Sequence, residues 1–156
     1  MIKNALSVEQ ILTNTQYGKK AQNGFDLSLK SVKKLIGSGL VFLDKTSVAS
    51  YGVVLPEEGK YNLGQGVYSV TFNEGGTIPR GYCGWVKTRS SLVRNGCLVE
   101  SGLYDTGFSC DSFGAMLFVH TSITIEQNSR IAQFLLFDAE QADLYDGQWQ
   151  KERDKK

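Results

Sequence analysis

The sequence predicts an all-β domain, a distorted jelly roll or β-barrel with one short helix near the N-terminus. Seventeen of the 156 residues are glycine and two are proline, a composition typical of short strands joined by tight turns. Several segments alternate apolar and polar residues with the two-residue period of a strand. Roughly ten such segments stand against a single helical pattern, which favours an all-β architecture.

The helical pattern lies close to the N-terminus. Ser7, with Gln10 three residues later and Ile11-Leu12 directly after it, matches the capping box that begins a helix. The polar segment 15–22 that follows is predicted as a loop.

A half-buried strand is predicted to begin at residue 25. Its apolar positions alternate with polar ones, and the alternating apolar residues are Phe25, Leu27 and Leu29. Asp26 falls between them and is expected on the polar face of the strand. Considered alone, it would be an ordinary exposed carboxylate.

Glycine-rich turns divide the middle of the chain. Gly37-Ser38-Gly39 is predicted as a hairpin turn between segments 32–36 and 40–43, because no Lys-Ser/Thr pair of a phosphate loop follows it. Gly64 and Gly66 indicate a bulge. Further strands are predicted at 47–55, 61–72 and 82–88.

The C-terminal third contains three predicted strands and a polar tail. The strands are 113–119, 123–125 and 130–137, and His120 is expected to end the first of them. We expect residues 1–138 to form the β domain and 139–156 to form the tail. Tyr145 and Trp149 lie in the tail, where two aromatic side chains favour docking onto the domain.

Charge and composition exclude several classes of protein. The net charge of +1 is spread along the chain, which argues against nucleic acid as a partner. No apolar run has the length of a membrane span, and the N-terminus lacks the pattern of a signal peptide. We therefore expect a cytoplasmic protein. Cys83, Cys97 and Cys110 are spaced too widely for a Cys-x-x-Cys metal site and are expected to remain thiols.

The segment from Thr88 to Phe108 contains the residues with the most chemical potential. Arg89, Ser90, Ser91 and Arg94 place two cations and two hydroxyls within six residues. A guanidinium donates a fork of hydrogen bonds that matches phosphate oxygens, and serine adds short-range donors. This group of residues favours the binding of an oxyanion.

The second half of this segment contains a single carboxylate, Asp105, three residues before the aromatic Phe108 and close to Gly102 and Gly107. A phosphate-binding group followed by a lone carboxylate suggests activation of water against phosphorus. From these residues alone, a β-hairpin with polar turns explains the pattern equally well.

Arg-Ser-Ser-Leu-x-Arg-x-Gly and Gly-x-x-Asp-x-x-Phe resemble the second and third motifs of the trimeric dUTPase and dCTP deaminase superfamily. Residues 23–27 (Asn-Gly-Phe-Asp-Leu) resemble its first motif, and residues 129–133 (Ser-Arg-Ile-Ala-Gln) its fourth. The four motifs occur in order between about residue 23 and residue 137. The resemblance implies the dUTPase-like fold and a homotrimer with sites between subunits.

The resemblance also implies a role for each matched residue. Asp105 would activate water and Asp26 would help to anchor Mg²⁺ through water. The expected substrate contacts are Arg89, Ser90, Ser91 and Gln133 to the phosphates, Arg94 to substrate or a neighbouring subunit, Gly102 and Leu103 to the base, and Phe108 to the deoxyribose.

The superfamily performs two chemistries, and the residues favour hydrolysis of dUTP to dUMP and pyrophosphate. The deaminases use a glutamate on the strand after the third motif, and the matching place in this chain falls at or beside Phe118, in a strand without a carboxylate. Without a carboxylate there, protons cannot be shuttled to a cytosine ring. Asp105 instead matches the aspartate of the dUTPases, and the eleven-residue step from Arg94 to Asp105 matches their spacing.

Three departures leave alternatives open. Sixty-two residues separate Asp26 from Thr88, Cys110 replaces a common glycine, and the glycine-rich C-terminal motif of dUTPases is missing. Residues 145–150 resemble a deaminase tail instead, and we expect residues 145–149 to order over the site or a neighbouring subunit when nucleotide binds. The alternatives are a dCTP-directed deaminase or diphosphatase, and a nucleotide-binding, structural or regulatory protein without activity.

Overall fold

The structure, a computed structural model, describes residues 1–140, 143–147 and 150. It consists mostly of strands, which confirms the predicted all-β class. The helices are α1 Ala5–Glu9 and α2 Ser90–Val93, and a 3₁₀ turn lies at Thr15–Tyr17. The strands are β1 Leu12–Thr13, β2 Lys19–Lys20, β3 Phe25–Leu35, β4 Leu40–Val41, β5 Thr46–Ser47, β6 Tyr51–Val54, β7 Lys60–Phe72, β8 Gly75–Thr77, β9 Tyr82–Thr88, β10 Cys97–Glu100, β11 Ser109–Cys110, β12 Gly114–Glu126 and β13 Arg130–Asp138.

The main sheet contains eight strands, and all their pairings are antiparallel. Its order is β13-β9-β10-β12-β7-β3-β2, with β6 attached to β3. Strand β13 pairs with β3 as well as with β9, so the inner faces of the strands meet in one core. Large buried side chains fill that core, among them Phe25, Leu27, Phe72, Phe113, Leu117 and Phe134. No helix in the described ranges is long and apolar enough to cross a membrane.

The N-terminal helix begins earlier than the sequence pattern predicted. Asn4 is the residue that caps it, and its side-chain oxygen accepts a hydrogen bond from the Ser7 amide at 3.1 Å. Ser7 therefore lies inside α1 and does not begin it. The second helix, α2, was not predicted, because its four residues are too few to show a helical period.

The first half of β3 is buried on both faces, so the prediction of a half-buried strand was wrong. Asp26 is 8% exposed and Ser28 is fully buried. The segment before β3 covers this face so closely that a Cβ at Gly18 would lie 2.8 Å from the Asp26 carbonyl oxygen and from Glu74 Oε1. Polar residues are buried here because other polar groups satisfy them, which alternation alone cannot reveal.

The chain makes a longer excursion after β3 than predicted. Gly37-Ser38-Gly39 does not join two paired strands, because β3 pairs with β6 and the short strand β4 pairs with β5. The predicted strand 47–55 is correspondingly divided between β5 and β6. Residues 36–55 thus form a segment that leaves the sheet and returns to its edge.

The predicted strands 113–119 and 123–125 are one continuous strand of thirteen residues, β12, which forms eleven residue pairs with β7. The predicted bulge is confirmed. Val119 pairs with Gly66 and Ser122 with Gly64, so β12 carries the extra residue. His120 lies within this bulge and does not end a strand.

Cys97 is buried, and Cys83 and Cys110 are half-buried. Burial raises the pKa of both Cys83 and Cys97. Both side chains therefore remain protonated thiols at neutral pH.

Glu74 is a fully buried carboxyl that fastens β3 to the turn before β8. Its Oε1 accepts from Ser28 Oγ at 2.7 Å and its Oε2 from the Ser28 amide at 2.9 Å. Burial raises the pKa of Glu74 despite these two hydrogen bonds, which lower it. The folded state consequently holds this proton more tightly than the unfolded chain does.

Glu74→Gln should make the free energy of unfolding less dependent on pH. In the wild type, that free energy falls as pH rises above the ordinary glutamate value, by about 1.4 kcal/mol for each pH unit over which only the unfolded state is ionised. The variant has no proton to lose, so its advantage over the wild type should grow with pH. Urea unfolding between pH 4 and 8 measures this, and a constant difference would contradict the burial effect.

Candidate functional site

All predicted site residues except Ser91 lie in two separate clefts on the outside of the sheet. The first, which we name the cationic cleft, has a volume of about 730 Å³ and contains five cations and one carboxylate. Its lining residues are Lys19, Lys20, Ala21, Gln22, Asp26, Thr88, Arg89, Ser90, Val93, Arg94, Arg130 and Gln133. This balance of charge suits an anion with several negative charges.

Arg89 is held in place at the floor of the cationic cleft. Its Nε lies 3.0 Å from Asp26 Oδ2, and its Nη1 donates to the Arg130 carbonyl oxygen at 2.9 Å. Its backbone amide also donates to the Ile131 carbonyl. The bonds to Asp26 and Arg130 engage two of the five N–H donors of the guanidinium. They fix the orientation of the guanidinium group.

Asp26 is almost completely buried beneath these cations. Burial raises the pKa of Asp26, while Arg89, Arg130 and Lys19 each act to lower it. The neighbouring strand places Gln133 directly opposite Asp26. The side-chain amide of Gln133 donates a hydrogen bond to the Asn23 carbonyl, and Gln133 also lines the cleft.

The two serines of the second motif point to different places. Ser90 lines the cationic cleft, whereas Ser91 lines a neighbouring cleft with Asn62 and Glu126. The cause is α2, because consecutive residues on a helix point in directions about 100° apart. Without knowledge of this short helix, the sequence could not predict that Ser90 and Ser91 line different clefts. Arg130 lines both clefts and lies between them.

The second cleft, which we name the apolar cleft, has a volume of about 630 Å³ and contains the third motif. Its lining residues are Ser69, Glu100, Ser101, Gly102, Leu103, Tyr104, Asp105, Phe108, Gly114, Ala115, Met116 and Tyr145. The structure therefore brings Gly102, Leu103, Asp105 and Phe108 together. It does not bring them into the cationic cleft.

Tyr104 fastens the third motif to the sheet. Its backbone exchanges two hydrogen bonds of 2.8 Å with Gly84, and its hydroxyl donates to the Gly114 carbonyl. Asp105 is exposed at the rim, at the start of a turn that Phe108 closes by donating its amide to the Asp105 carbonyl at 3.1 Å. Gly107 has φ of +84° in this turn, a conformation that favours glycine.

Part of the tail lies on the same turn. The Tyr145 amide donates to the Thr106 carbonyl at 2.8 Å, and the Tyr145 ring packs against Phe108 with centroids 5.6 Å apart. The Gln150 side chain donates to the Gly107 carbonyl and accepts from the Ser109 amide. Tyr145 therefore forms a wall of the apolar cleft in its own chain. Trp149 lies outside the described residues.

One row of directly paired residues connects the two clefts across the sheet. In strand order it runs Asp26, Gln133, Lys87, Glu100, Met116 and Ser69. Directly opposed residues in antiparallel strands point to the same face, so both clefts open on the outer face. Three strand spacings, or about 14 Å, separate Asp26 from Glu100.

The middle of this row was not recognised from the sequence. Glu100 accepts from Trp85 Nε1 at 2.9 Å and from Lys87 Nζ at 2.7 Å, and Lys87 lies 4.5 Å from the centroid of the Trp85 ring. The strand alternation of β9 and β10 places all three on the outer face, but it does not show that Glu100 borders a cleft.

The strand on which the resemblance places the deaminase glutamate, β12, forms one wall of the apolar cleft. Phe118 lies outside the apolar cleft, and the part of β12 that lines it consists of Gly114, Ala115 and Met116. None of these can transfer a proton. The β12 wall of the apolar cleft therefore carries no carboxylate.

The described residues contain no group of three or more His, Cys, Asp or Glu side chains that could hold a metal ion. Asp26 is a single carboxylate, and one of its oxygens faces Arg89. These donors do not form a binding site for a resident metal. They leave room only for a metal that arrives with other ligands.

The model of the dCTP deaminase-like family matches residues 2–139. The chain belongs to this family. The superfamily inferred from the four motifs is therefore confirmed. The match includes all four motifs, the cationic cleft and every residue of the apolar cleft except Tyr145.

Two curated relatives of this dCTP deaminase-like chain bear the name probable deoxyuridine 5'-triphosphate nucleotidohydrolase. That of Halobacterium salinarum is 31% identical over 137 residues, which cover 84% of this chain and 82% of the relative. The relative from Methanosarcina acetivorans is 31% identical over 162 residues, which cover 99% of this chain and 90% of the relative.

A crystal structure of 2'-deoxycytidine 5'-triphosphate deaminase from Agrobacterium tumefaciens has the same fold. It superimposes with a TM-score of 0.67 at 15% identity and covers 88% of this chain. This chain spans about half of that one, since the match covers 48% of its length. At this identity, the likeness concerns the fold alone.

Proposed function

We propose that this protein hydrolyses dUTP to dUMP and pyrophosphate. The observation that carries the proposal is the apolar cleft, where Asp105 stands at the rim beside Phe108 and the β12 wall has no carboxylate. Such a cleft can place a base for water next to a nucleotide, but lacks the proton-transferring group on β12 that deamination uses. The two relatives named above support the same reaction.

The positions of the residues support a proposed role for each of them. The cationic cleft binds the phosphates through Arg89, Arg94 and the Ser90 hydroxyl, with Gln133 as a further donor. Because Arg89 is already oriented by Asp26, little freedom is lost when it binds phosphate oxygens. Asp105 accepts a proton from water, the water oxygen forms a bond to the α-phosphorus, and pyrophosphate leaves with the electrons of the broken P–O bond.

Mg²⁺ enters this proposal bound to the substrate. A magnesium ion commonly binds one or two carboxylates together with phosphates and water, and the buried Asp26 can reach it through water. When bound, the ion neutralises charge on the phosphates and polarises the P–O bonds. The orientation of Arg89 and the proton transfer at Asp105 are contributions of the protein.

We further propose that the active protein is a homotrimer in which one site combines the cationic cleft of one subunit with the apolar cleft of the next. Within one chain, the Lys87–Glu100 pair lies between the two clefts. A nucleotide using both clefts of one chain would have to cross that pair. Sites shared between subunits avoid this and require a closed, head-to-tail assembly.

Co-expression of Asp26→Asn and Asp105→Asn chains should restore activity that neither variant has alone. If every site takes Asp26 from one chain and Asp105 from another, random mixing leaves about a quarter of the sites with both residues intact. Light scattering should show three chains per particle. An active monomer, or co-expressed protein no more active than its parents, would contradict shared sites.

Hydrolysis of dCTP is a second candidate, and Glu100 is the observation that favours it. This carboxylate lines the apolar cleft, and a carboxylate accepts hydrogen bonds from the amino group of cytosine. The same carboxylate already accepts hydrogen bonds from Trp85 and Lys87.

Incubation with Mg²⁺ and each deoxynucleoside triphosphate, with pyrophosphate and ammonia measured in parallel, tests the proposal. We expect pyrophosphate from dUTP and no ammonia from dCTP. Ammonia from dCTP would establish deamination. Binding of dUTP without either product would establish a nucleotide-binding protein without activity.

A further inference from the structure

The excursion between β3 and β7 carries an unusual share of the exposed apolar surface. Eight of the eighteen large apolar residues that are exposed in the described chain fall within residues 36–55. They are Ile36, Leu40, Val41, Phe42, Leu43, Val48, Val53 and Leu55, with exposures from 49% to 106%. Neither cleft includes any of them.

The summed area of these eight side chains is comparable with one side of a protein interface. Burying one such side chain removes on the order of 100 Å² from water, so eight present on the order of 800 Å². The largest apolar patch on a typical monomer covers about 300–600 Å². One partner in a standard interface contributes about 800 Å².

Strand β6 adds an unprotected backbone edge to the same surface. Among the described residues it pairs with β3 alone, and its four residues, Tyr-Gly-Val-Val, include no charge and no proline. The other short strand that pairs with β3, β2, consists of two lysines, which discourage pairing with another chain. The β6 edge has no such protection.

The hydrogen-bond pattern shows which groups of β6 face outward. Ile36 donates its amide to the Ser50 carbonyl at 3.1 Å, so residues 36 and 50 form a hydrogen-bonded pair. Hydrogen-bonded and non-hydrogen-bonded pairs alternate along antiparallel strands. The pairs 34/52 and 32/54 are therefore hydrogen-bonded, whereas 35/51 and 33/53 are non-hydrogen-bonded pairs. The amide and carbonyl of Tyr51 and Val53 therefore point away from β3.

We propose that two copies of this chain associate through β6, antiparallel and centred on Gly52. Tyr51 of one copy then faces Val53 of the partner subunit, and the reverse pair forms at the same time, which gives four backbone hydrogen bonds. The arrangement is self-complementary, as a two-fold interface requires. The apolar residues of the excursion supply the surface buried around it. This interface is independent of the proposed function and would join two trimers into a hexamer.

Val53→Pro tests the interface, because it removes an amide that points away from β3 and leaves the β3 ladder intact. Proline is tolerated at edge positions of this kind. Light scattering should give half the wild-type mass for Val53→Pro, whether the change is from six chains to three or from two to one. Val53→Thr is the matched control, since it keeps the amide and the branched side chain, and its mass should equal that of the wild type.

A Val53→Pro protein that is folded by circular dichroism and has the wild-type mass would overturn the proposal and leave this surface to a different partner. If that variant does not fold, the double variant Val41→Lys/Leu43→Lys places two charges on fully solvent-facing positions of the same surface. The double variant should halve the mass, whereas Leu6→Lys, at an exposed apolar position on α1, should not. An unchanged mass in the double variant would equally overturn the proposal.

Discussion

Asp105→Asn should lower turnover of dUTP by about 10²–10⁴-fold, the range that a general base contributes. Asparagine has nearly the same shape but cannot accept a proton from water at neutral pH. Binding of a non-hydrolysable dUTP analogue should remain close to that of the wild type, because Asp105 is exposed at the rim and its backbone, which closes the turn with Phe108, is unchanged. Steady-state kinetics and calorimetric titration measure the two quantities.

Asp143→Asn is a suitable control for this experiment. Asp143 borders a depression next to the third motif that Asp105 also lines, so the variant removes a nearby negative charge. Its turnover should match that of the wild type. Near wild-type turnover in Asp105→Asn would remove this residue from the mechanism.

Phe108→Ala should lower activity on dUTP and narrow the preference for dUTP over UTP. An apolar ring beside the sugar suits the CH₂ of a deoxyribose, whereas the extra hydroxyl of a ribose would be buried without a hydrogen-bond partner. That costs about 1–3 kcal/mol, or about 5- to 150-fold in the ratio of the two kcat/KM values. Kinetics with both nucleotides measure the ratio.

Phe108 also has a structural role, which the experiment must separate from selectivity. Its ring lies 5.2 Å from that of Tyr104 and 5.6 Å from that of Tyr145, so the alanine variant should also unfold at a lower temperature. Phe108→Leu retains an apolar side chain and should keep most of the selectivity. An unaltered ratio in folded Phe108→Ala would mean that the ring does not contact the sugar.

The motifs predicted the fold. They did not show that their residues would be divided between two separate clefts of one chain. Asp26, Arg89, Arg94 and Gln133 lie together although they are far apart in sequence, because β3, β9 and β13 are neighbours in the sheet. A sequence motif identifies such residues even when the pairing of the strands is unknown.

Local patterns failed where burial depends on distant partners. Alternation placed Asp26 on a solvated face, but Glu74 and the segment around Gly18 cover that face. Both partners are remote from β3 in the sequence or lack a recognisable signal. Tertiary contacts therefore decided the environment of the carboxylate.

Very short elements and cross-strand neighbours were equally invisible to sequence patterns. The helix α2 separates Ser90 from Ser91, and four residues carry too little periodicity to reveal it. The position of Glu100 beside the apolar cleft depends on its pairing with Lys87 and Met116. Alternation indicates its face but not its neighbours.

Hydrolysis in ¹⁸O-labelled water tests the central claim most directly, because it shows which atom the water attacks. The protein should be incubated with Mg²⁺ and with dUTP or dCTP in labelled water. The masses of the products should then be determined by mass spectrometry. Attack at the α-phosphorus predicts one ¹⁸O in dUMP and none in pyrophosphate. Label in the pyrophosphate, or label on the base of a uracil nucleotide formed from dCTP, would contradict the proposed reaction.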